Sequence, residues 1–389
     1  MLNLTLTPDI LLTVKQTTTK PNTKHQTPNT KHQTPKTMNT SSSSSSPKVS
    51  ANEAVALAQI AFKAGRIFHC EGKGGGGKTS ILKKDLAKAM EIPPERVYLL
   101  NMSGMGPQEM LGYGIVDNEN RDLYFSKPEQ WPHATAVGED ECLLILDEVT
   151  NWDHASLSLC RSLLDPVDGI PRIGTHELGS NVHICMTSNR AQDGSRSMVL
   201  DAPFVSRSLT VTLEPTLDGF LDWAATEGLA SSPLYAFLKY SQGLNEVDHF
   251  NPELPKRWVG APHPTPRSWH AALQLTQSED ELLADSTMLG LALKGLVGES
   301  AGLAATAFCY TVSRYCTTVS GIRSGSEDLP SLDTTAQYAV IYAALRIARK
   351  ESMKDPEAYV ASGEADWLVE KIILPAKGEL KRWAYCTAS

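Results

Sequence analysis

The stretch Gly72-Lys-Gly-Gly-Gly-Gly-Lys-Thr79 matches G-x-x-x-x-G-K-[ST] in full, and its flanks decide how it is read. Ahead of it, Arg66-Ile-Phe-His-Cys-Glu71 reads as a short apolar strand. Behind it, Ser80 to Met90 sets Ile81, Leu82, Leu86 and Ala89 on one helical face. Strand, turn and helix in that order make a phosphate loop. Gly72, Gly74, Gly75, Gly76 and Gly77 let successive backbone N–H groups converge on β- and γ-phosphates, and the helix N-terminus adds partial positive charge. Lys78 reaches the phosphate oxygens, Thr79 can ligate Mg²⁺, and Ser80 completes the binding set at the start of the helix. The competing reading, a flexible glycine run that happens to precede Lys-Thr, does not explain the flanks. Each added glycine also raises the entropy lost on ordering, so the empty loop is expected to be mobile.

About 70 residues on, Cys142-Leu-Leu-Ile-Leu-Asp-Glu148 is a continuous apolar run that ends in two carboxylates. A run without alternation suits a strand covered on both faces, as in the middle of a parallel sheet. This is the Walker B pattern: Asp147 for the Mg²⁺ shell and Glu148 as general base for the attacking water. Read alone, the same residues could be a buried strand whose acidic end caps the next helix. Val182-His-Ile-Cys-Met186 is another strand, followed by Thr187-Ser188-Asn189. A polar side chain at such a strand end can hydrogen-bond the nucleophilic water or the γ-phosphate, and Asn189 is assigned that part.

With 389 residues, 41% hydrophobic and 21% charged, the chain is of soluble globular type and long enough for two domains. No apolar run approaches the ~18 residues of a membrane span. The formal charge of −8 divides unevenly. Residues 1–50 hold six Lys against Asp9, a net +5, which leaves 30 basic and 43 acidic residues, or −13, for the rest. So acidic a body argues against strong sequence-independent nucleic-acid binding without excluding a local basic pore. Seven cysteines (Cys70, Cys142, Cys160, Cys185, Cys309, Cys316 and Cys386) lie mostly in apolar segments without C-x-x-C spacing. They read as core residues of a reducing compartment, with the cytoplasm as default and no disulfide framework or zinc site.

Residues 1–50 contain a near-repeat (22–28 and 29–35) and a run from Ser41 to Ser46. That composition cannot bury enough surface to offset ordering entropy, so a disordered low-complexity tail is expected, with a transit peptide as the alternative. Asn52 to Ala64 reads as a helix closed by Gly65, and Val97-Tyr-Leu-Leu-Asn101 as a second strand. Met102 to Pro132 holds a hairpin through Asp117-Asn-Glu-Asn120, and Trp152 to Leu164 is helical. Asp165 to Gly179 is a second hairpin, and Ser208-Leu-Thr-Val-Thr-Leu213 alternates as an edge strand. Five strands with helical or longer connections give an α/β fold, a doubly wound parallel sheet with nucleotide at the carboxyl ends. From Leu217 the pattern is helical: 217–225, 233–241, 268–275, 281–293, 301–319, 334–350 and 365–374. The expected division is a 51–215 core, a 216–310 helical lid and a 311–389 helical extension. The glycine-rich Lys294 to Gly302 follows no strand and is read as a helix-packing device.

In order and spacing these motifs resemble the AAA+ ATPases, specifically the MoxR-like, dynein-related branch of bacterial and phage type, over roughly Asn52 to Thr276. The segment Pro107-Gln-Glu-Met-Leu-Gly112 looks like the opening of that branch's insert, and Pro264-Thr-Pro-Arg-Ser-Trp269 resembles a sensor 2 element carrying Arg267. Ala202-Pro-Phe-Val-Ser-Arg207 resembles the segment carrying an arginine that acts on a neighbouring subunit, with Arg190 and Arg196 as competitors. The resemblance implies hydrolysis of ATP with Mg²⁺, a homo-oligomeric ring of hexamer type, and a protein client, such as one with a von Willebrand-type domain. Arg267 would address the subunit's own γ-phosphate, and Arg207 the neighbour's. Two rivals stand beside this: a nucleic-acid translocase of restriction type, suggested by Asn189 to Arg196, and a nucleotide-gated scaffold with little turnover. The hairpins offer only Arg121, Lys127 and Arg172 as basic pore residues, which weighs against the first. Intact Glu148 and Asn189 weigh against the second.

Overall fold

The computed structural model describes residues 46–101, 106–164, 169–190, 202–243, 248–252, 260–278, 280–326, 334–352 and 366–376, with a few single positions between them. The expected tail over residues 1–45 lies outside this set, as do Arg196 and parts of both expected hairpin segments. Among the described residues ten strands follow one another: β1 (Lys48–Val49), β2 (Ile67–Gly72), β3 (Val97–Asn101), β4 (Gly114–Asp117), β5 (Asp122–Phe125), β6 (Cys142–Asp147), β7 (Arg172–Ile173), β8 (His176–Glu177), β9 (Val182–Asn189) and β10 (Ser208–Leu213). Six form one parallel sheet in the order β1-β10-β2-β9-β6-β3. The five expected strands are all present, and β1 adds a sixth at the edge.

Lys48 and Val49, placed by sequence in the tail, pair with Thr212 and Leu213 of β10. Ser46 Oγ bonds the carboxylate of Glu71 and lies 2.9 Å from Thr212 Oγ1. A two-residue strand behind a serine run has no periodicity to reveal it. Ser50 then caps the helix Ala51–Lys63: its hydroxyl accepts from Glu53 N, and the Glu53 carboxylate accepts from Ser50 N at 2.8 Å. Such a reciprocal cap stabilises a helix end by about 1 kcal/mol. Gly65, at φ +65, turns the chain into β2.

The sheet is covered on both faces, and residue parity on each strand says by what. Leu143 and Ile145 pack with Phe68, Cys70, Cys185, Val211, the helix 51–63 and Leu82 and Leu86 of the phosphate-loop helix. Leu144 and Leu146 face the other way, with Ile67, Ile184 and Met186, against Trp131, Trp152, Leu157, Leu163 and Phe204. Two-sided burial is what the unbroken apolar run 142–146 requires.

Both hairpins form: β4 pairs antiparallel with β5, and β7 with β8. The second turns at Gly174, φ +57. The helical portion has its own core, running from Phe220 through Trp269, Leu293 and Ile341 to Ile372. Residues Glu299–Arg314 form one helix across the boundary expected at 310, and this common core joins the two pieces separated there. The glycine-rich segment packs helices closely: a Cβ on Gly302 would stand 2.7 Å from Lys294 N, and one on Gly298 2.6 Å from Pro262 O.

Candidate functional site

Parallel register brings the site together. Gly72 at the end of β2 lies opposite Asn189 at the end of β9, and Asn101 at the end of β3 lies opposite Asp147 at the end of β6. Side chains alternate along a strand, so Asp147, Thr187 and Asn189 share the face on which the phosphate-loop helix packs. The carboxyl ends of four neighbouring strands therefore converge on the loop 72–79.

The loop itself depends on glycine at two positions. Gly75 has φ +75 and Gly77 φ +90, a region L side chains rarely adopt. A Cβ on Gly75 would also stand 3.0 Å from Thr265 Oγ1. From Lys78 the helix runs to Ala89, with one wide turn over Ile81–Leu86. Its first N–H groups have no acceptor within the helix, which makes that end a natural seat for an anion.

Lys78 is 7% exposed, and its Nζ donates to Gly72 O at 3.0 Å, Lys73 O at 2.9 Å and Asn189 Oδ1 at 2.9 Å. Burial lowers its pKa, as does the Arg267 charge, while Cys70, Asp147 and Glu148 oppose that shift. The ammonium is held by three neutral oxygens and by no carboxylate in direct contact. Such an arrangement suits a cation that receives a phosphoryl oxygen, and it links the loop lysine to the Asn189 side chain.

Asp147 Oδ1 accepts two hydroxyls, Thr79 Oγ1 at 2.6 Å and Thr187 Oγ1 at 2.6 Å, and Trp152 Nε1 donates to its carbonyl at 3.0 Å. A carboxylate touching a loop threonine is a hard-oxygen donor pair of the kind Mg²⁺ takes, so Thr79 and Asp147 fit the ion. Among the described residues no cluster of three or more His, Cys, Asp or Glu could hold a metal ion, so an ion here would draw on these two groups, water and phosphate. Glu148 adopts φ +53, one of three positive-φ residues other than glycine among the described residues. Its N–H donates to Thr187 Oγ1 at 3.0 Å, and Asn151 Nδ2 donates to its Oε2 at 3.1 Å. The two carboxylates thus have different partners, Thr79 and Thr187 for Asp147 and Asn151 for Glu148.

The helical portion meets the loop directly. Thr265 starts the helix Pro266–Ser278, with Pro266 in the first turn and reciprocal bonds between Thr265 and Ser268. Arg267 N donates to Gly75 O at 3.1 Å, and Lys73 Nζ donates to Pro252 O at 3.1 Å and Asn251 O at 3.4 Å. Arg267 thus stands beside the loop through its main chain, with its side chain exposed.

Arg207 does not join this cluster. It ends the helix Ala202–Arg207 and donates to Pro203 O at 3.4 Å. Ser208 pairs with Ile67 at the start of β2, so Arg207 lies at the amino edge of the sheet, roughly 15–20 Å of strand from the loop. Arg190 instead follows Asn189 on the loop side of the sheet.

Sequence reasoning assigned nothing to Thr187, Asn151 or Lys73. Thr187 was visible in principle: two positions before Asn189, it had to share that residue's face. His69 was also passed over. It is 3% exposed, with Nε2 at 2.8 Å from Ser188 Oγ and Nδ1 at 3.3 Å from Thr210 Oγ1, on the opposite face of the sheet. Five described cysteines, Cys70, Cys142, Cys160, Cys185 and Cys309, are buried thiols outside any disulfide. Burial pushes the Cys70 and Cys160 thiols up to about 12, so they pack as apolar groups and do not serve as nucleophiles. No described helix is long and apolar enough to cross a membrane.

No protein-family model matches the chain. No curated protein matches it either. Among solved structures, the closed state of Hsp104 with ATPyS and FITC casein is 15% identical with a TM-score of 0.35; the alignment covers 69% of this chain and 45% of that one. NtrX from Brucella abortus in complex with ADP is 13% identical with a TM-score of 0.31, covering 81% of this chain and 67% of that one. The chain thus spans less than half the length of the Hsp104 chain it matches. Similarity of this size carries no argument, and the parallel α/β fold with a phosphate loop at its carboxyl edge stands on the chain's own sheet order and register.

Proposed function

We propose that the chain is an ATP-hydrolysing AAA+ motor of MoxR-like type that works as a ring, a hexamer, on a protein client. The observation that carries this reading is the convergence of Lys78, Asn189, Thr79 and Asp147 at one loop. Lys78 and the loop N–H groups hold and orient the triphosphate, and Thr79 and Asp147 supply oxygen ligands for Mg²⁺. Bound there, Mg²⁺ would neutralise charge on the phosphate oxygens. Glu148 accepts the proton of the attacking water, Asn189 orients that water, and Arg267 adds charge from the helical side.

Arg207 is the arginine offered to a neighbour. Its position at the amino end of β10, beside the start of β2 and away from the subunit's own loop, supports a part in trans. A protein client is favoured over nucleic acid by the β4–β5 hairpin. Its exposed Tyr113, Ile115, Val116, Leu123 and Tyr124 surround Asp117, Glu119 and Asp122, with Arg121 as the one cation of the turn. An apolar, acidic finger repels phosphate backbones. The von Willebrand-type partner and the cytoplasm belong to the proposal on the strength of the resemblance alone.

Phosphate release from MgATP tests the reading. The parent should hydrolyse ATP, and Glu148→Gln should bind it with similar affinity while hydrolysing at least ~100-fold more slowly. Equal rates for the two proteins would dismiss the site.

A further inference from the structure

We infer that Thr187 is a positioning residue for hydrolysis, one hydroxyl that ties the Asp147 carboxylate to the main chain of Glu148; the inference rests on the ATPase reading above. Its side chain is 0% exposed, locked between β6 and β2, and its oxygen is used twice. The hydroxyl proton goes to Asp147 Oδ1 at 2.6 Å, and a lone pair of the same oxygen accepts Glu148 N–H at 3.0 Å.

Three features make this more than a satisfied core hydroxyl. The chain from main-chain N–H through hydroxyl to carboxylate runs in one direction, so each bond polarises the next. The Glu148 N–H that it anchors belongs to a residue at φ +53, a conformation that a residue other than glycine keeps only where its surroundings hold it. Asp147 Oδ1 also receives Thr79 Oγ1, so Thr187 fixes the carboxylate oxygen that the loop threonine contacts. One oxygen on the β9 strand thereby sets the spacing between the ion-binding carboxylate and the base. Thr187 touches neither nucleotide nor water in this scheme; it acts through Asp147 and Glu148. Asn189, two residues along the same face, binds Lys78, so a displacement of β9 would disturb all three groups together.

The test compares Thr187→Val, which keeps shape and removes the hydroxyl, with Thr187→Ser, which keeps the hydroxyl and removes a methyl. Steady-state hydrolysis, binding of a non-hydrolysable ATP analogue and thermal melting are measured on the full chain, with and without Glu148→Gln. Thr187→Val should lower kcat by about tenfold or more while analogue affinity changes less than about threefold, and Thr187→Ser should recover most of the rate. In the Glu148→Gln background, Thr187→Val should slow the residual rate by clearly less than it slows the parent, because only the part carried through Asp147 remains. If Thr187→Val fails to fold, Thr187→Ala is read the same way. The inference is overturned by a Thr187→Val rate equal to the parent's, by a loss confined to KM, or by an equal further loss in the Glu148→Gln background. Should Glu148→Gln itself match the parent, the ATPase reading falls with it; should Glu148→Gln be inactive while Thr187→Val is normal, only the part given to Thr187 falls.

Discussion

Replacing His69 with Gln should flatten the stability of this protein between neutral and mildly acidic pH. His69 sits among Ile67, Ser188 and Thr210 at 3% exposure, and burial, its largest influence, holds the imidazole neutral with a pKa of about 4. The Lys78 charge acts in the same direction, and Glu71 opposes it. An unfolded imidazole takes a proton near 6.5, so between pH 6.5 and about 4 the unfolded chain binds more protons than the folded one. Stability linked to His69 is therefore complete above pH 6.5 and is lost as pH falls through that window. At pH 5 the gap is about 1.5 pH units, or about 2 kcal/mol at 1.36 kcal/mol per unit. Gln reaches Ser188 with an amide that does not titrate in this range. Urea unfolding at pH 7.5 and pH 5 should show the parent losing about 2 kcal/mol more than His69→Gln over that interval. Equal losses in the two proteins would mean that His69 is not held neutral, and the polar layer across β10, β2 and β9 would need another explanation.

Two further outcomes follow from the geometry. Gly75→Ala places a methyl 3.0 Å from Thr265 Oγ1 at φ +75, which costs roughly 1–2 kcal/mol. Analogue titration should show about tenfold weaker binding, whereas Gly74→Ala, whose methyl meets nothing within 4 Å, should bind much as the parent does. Asp153 accepts from Ala155 N at 2.8 Å and Ser156 N at 3.0 Å at the start of the helix His154–Leu159. Asp153→Ala should therefore lower urea-melt stability by about 1 kcal/mol at pH 7, and Asp153→Ser should restore most of it.

Much of this molecule was legible from residue patterns, for identifiable reasons. Strands β3 and β10 fall on the residues expected, because each is a short run bounded by polar turns. The loop lysine, Asp147, Glu148 and Asn189 could be singled out because a strand, a turn and a helix constrain one another within a few residues. What escaped was held by contacts distant in sequence. β1 exists through Thr212 and Glu71, and Thr187 matters through residues about 40 positions earlier. Two helical breaks were local and still missed. Asp285 caps a new helix by accepting from Thr287 N and Met288 N, and Tyr315 separates Glu299–Arg314 from Cys316–Ser324. Arg207 is the converse case: its segment stood out in the sequence, but only register places it at the amino end of the sheet, away from its own loop.

Subunit mixing puts the shared site to the test. Arg207→Ala and Glu148→Gln are each expected to hydrolyse ATP poorly alone, the first for want of charge from next door and the second for want of a base. Mixed, an intact Glu148 in an Arg207→Ala subunit can receive Arg207 from a Glu148→Gln neighbour, so phosphate release should rise well above the sum of the separate rates. A mixture no faster than that sum, or an Arg207→Ala protein as fast as the parent, would contradict hydrolysis between adjacent copies.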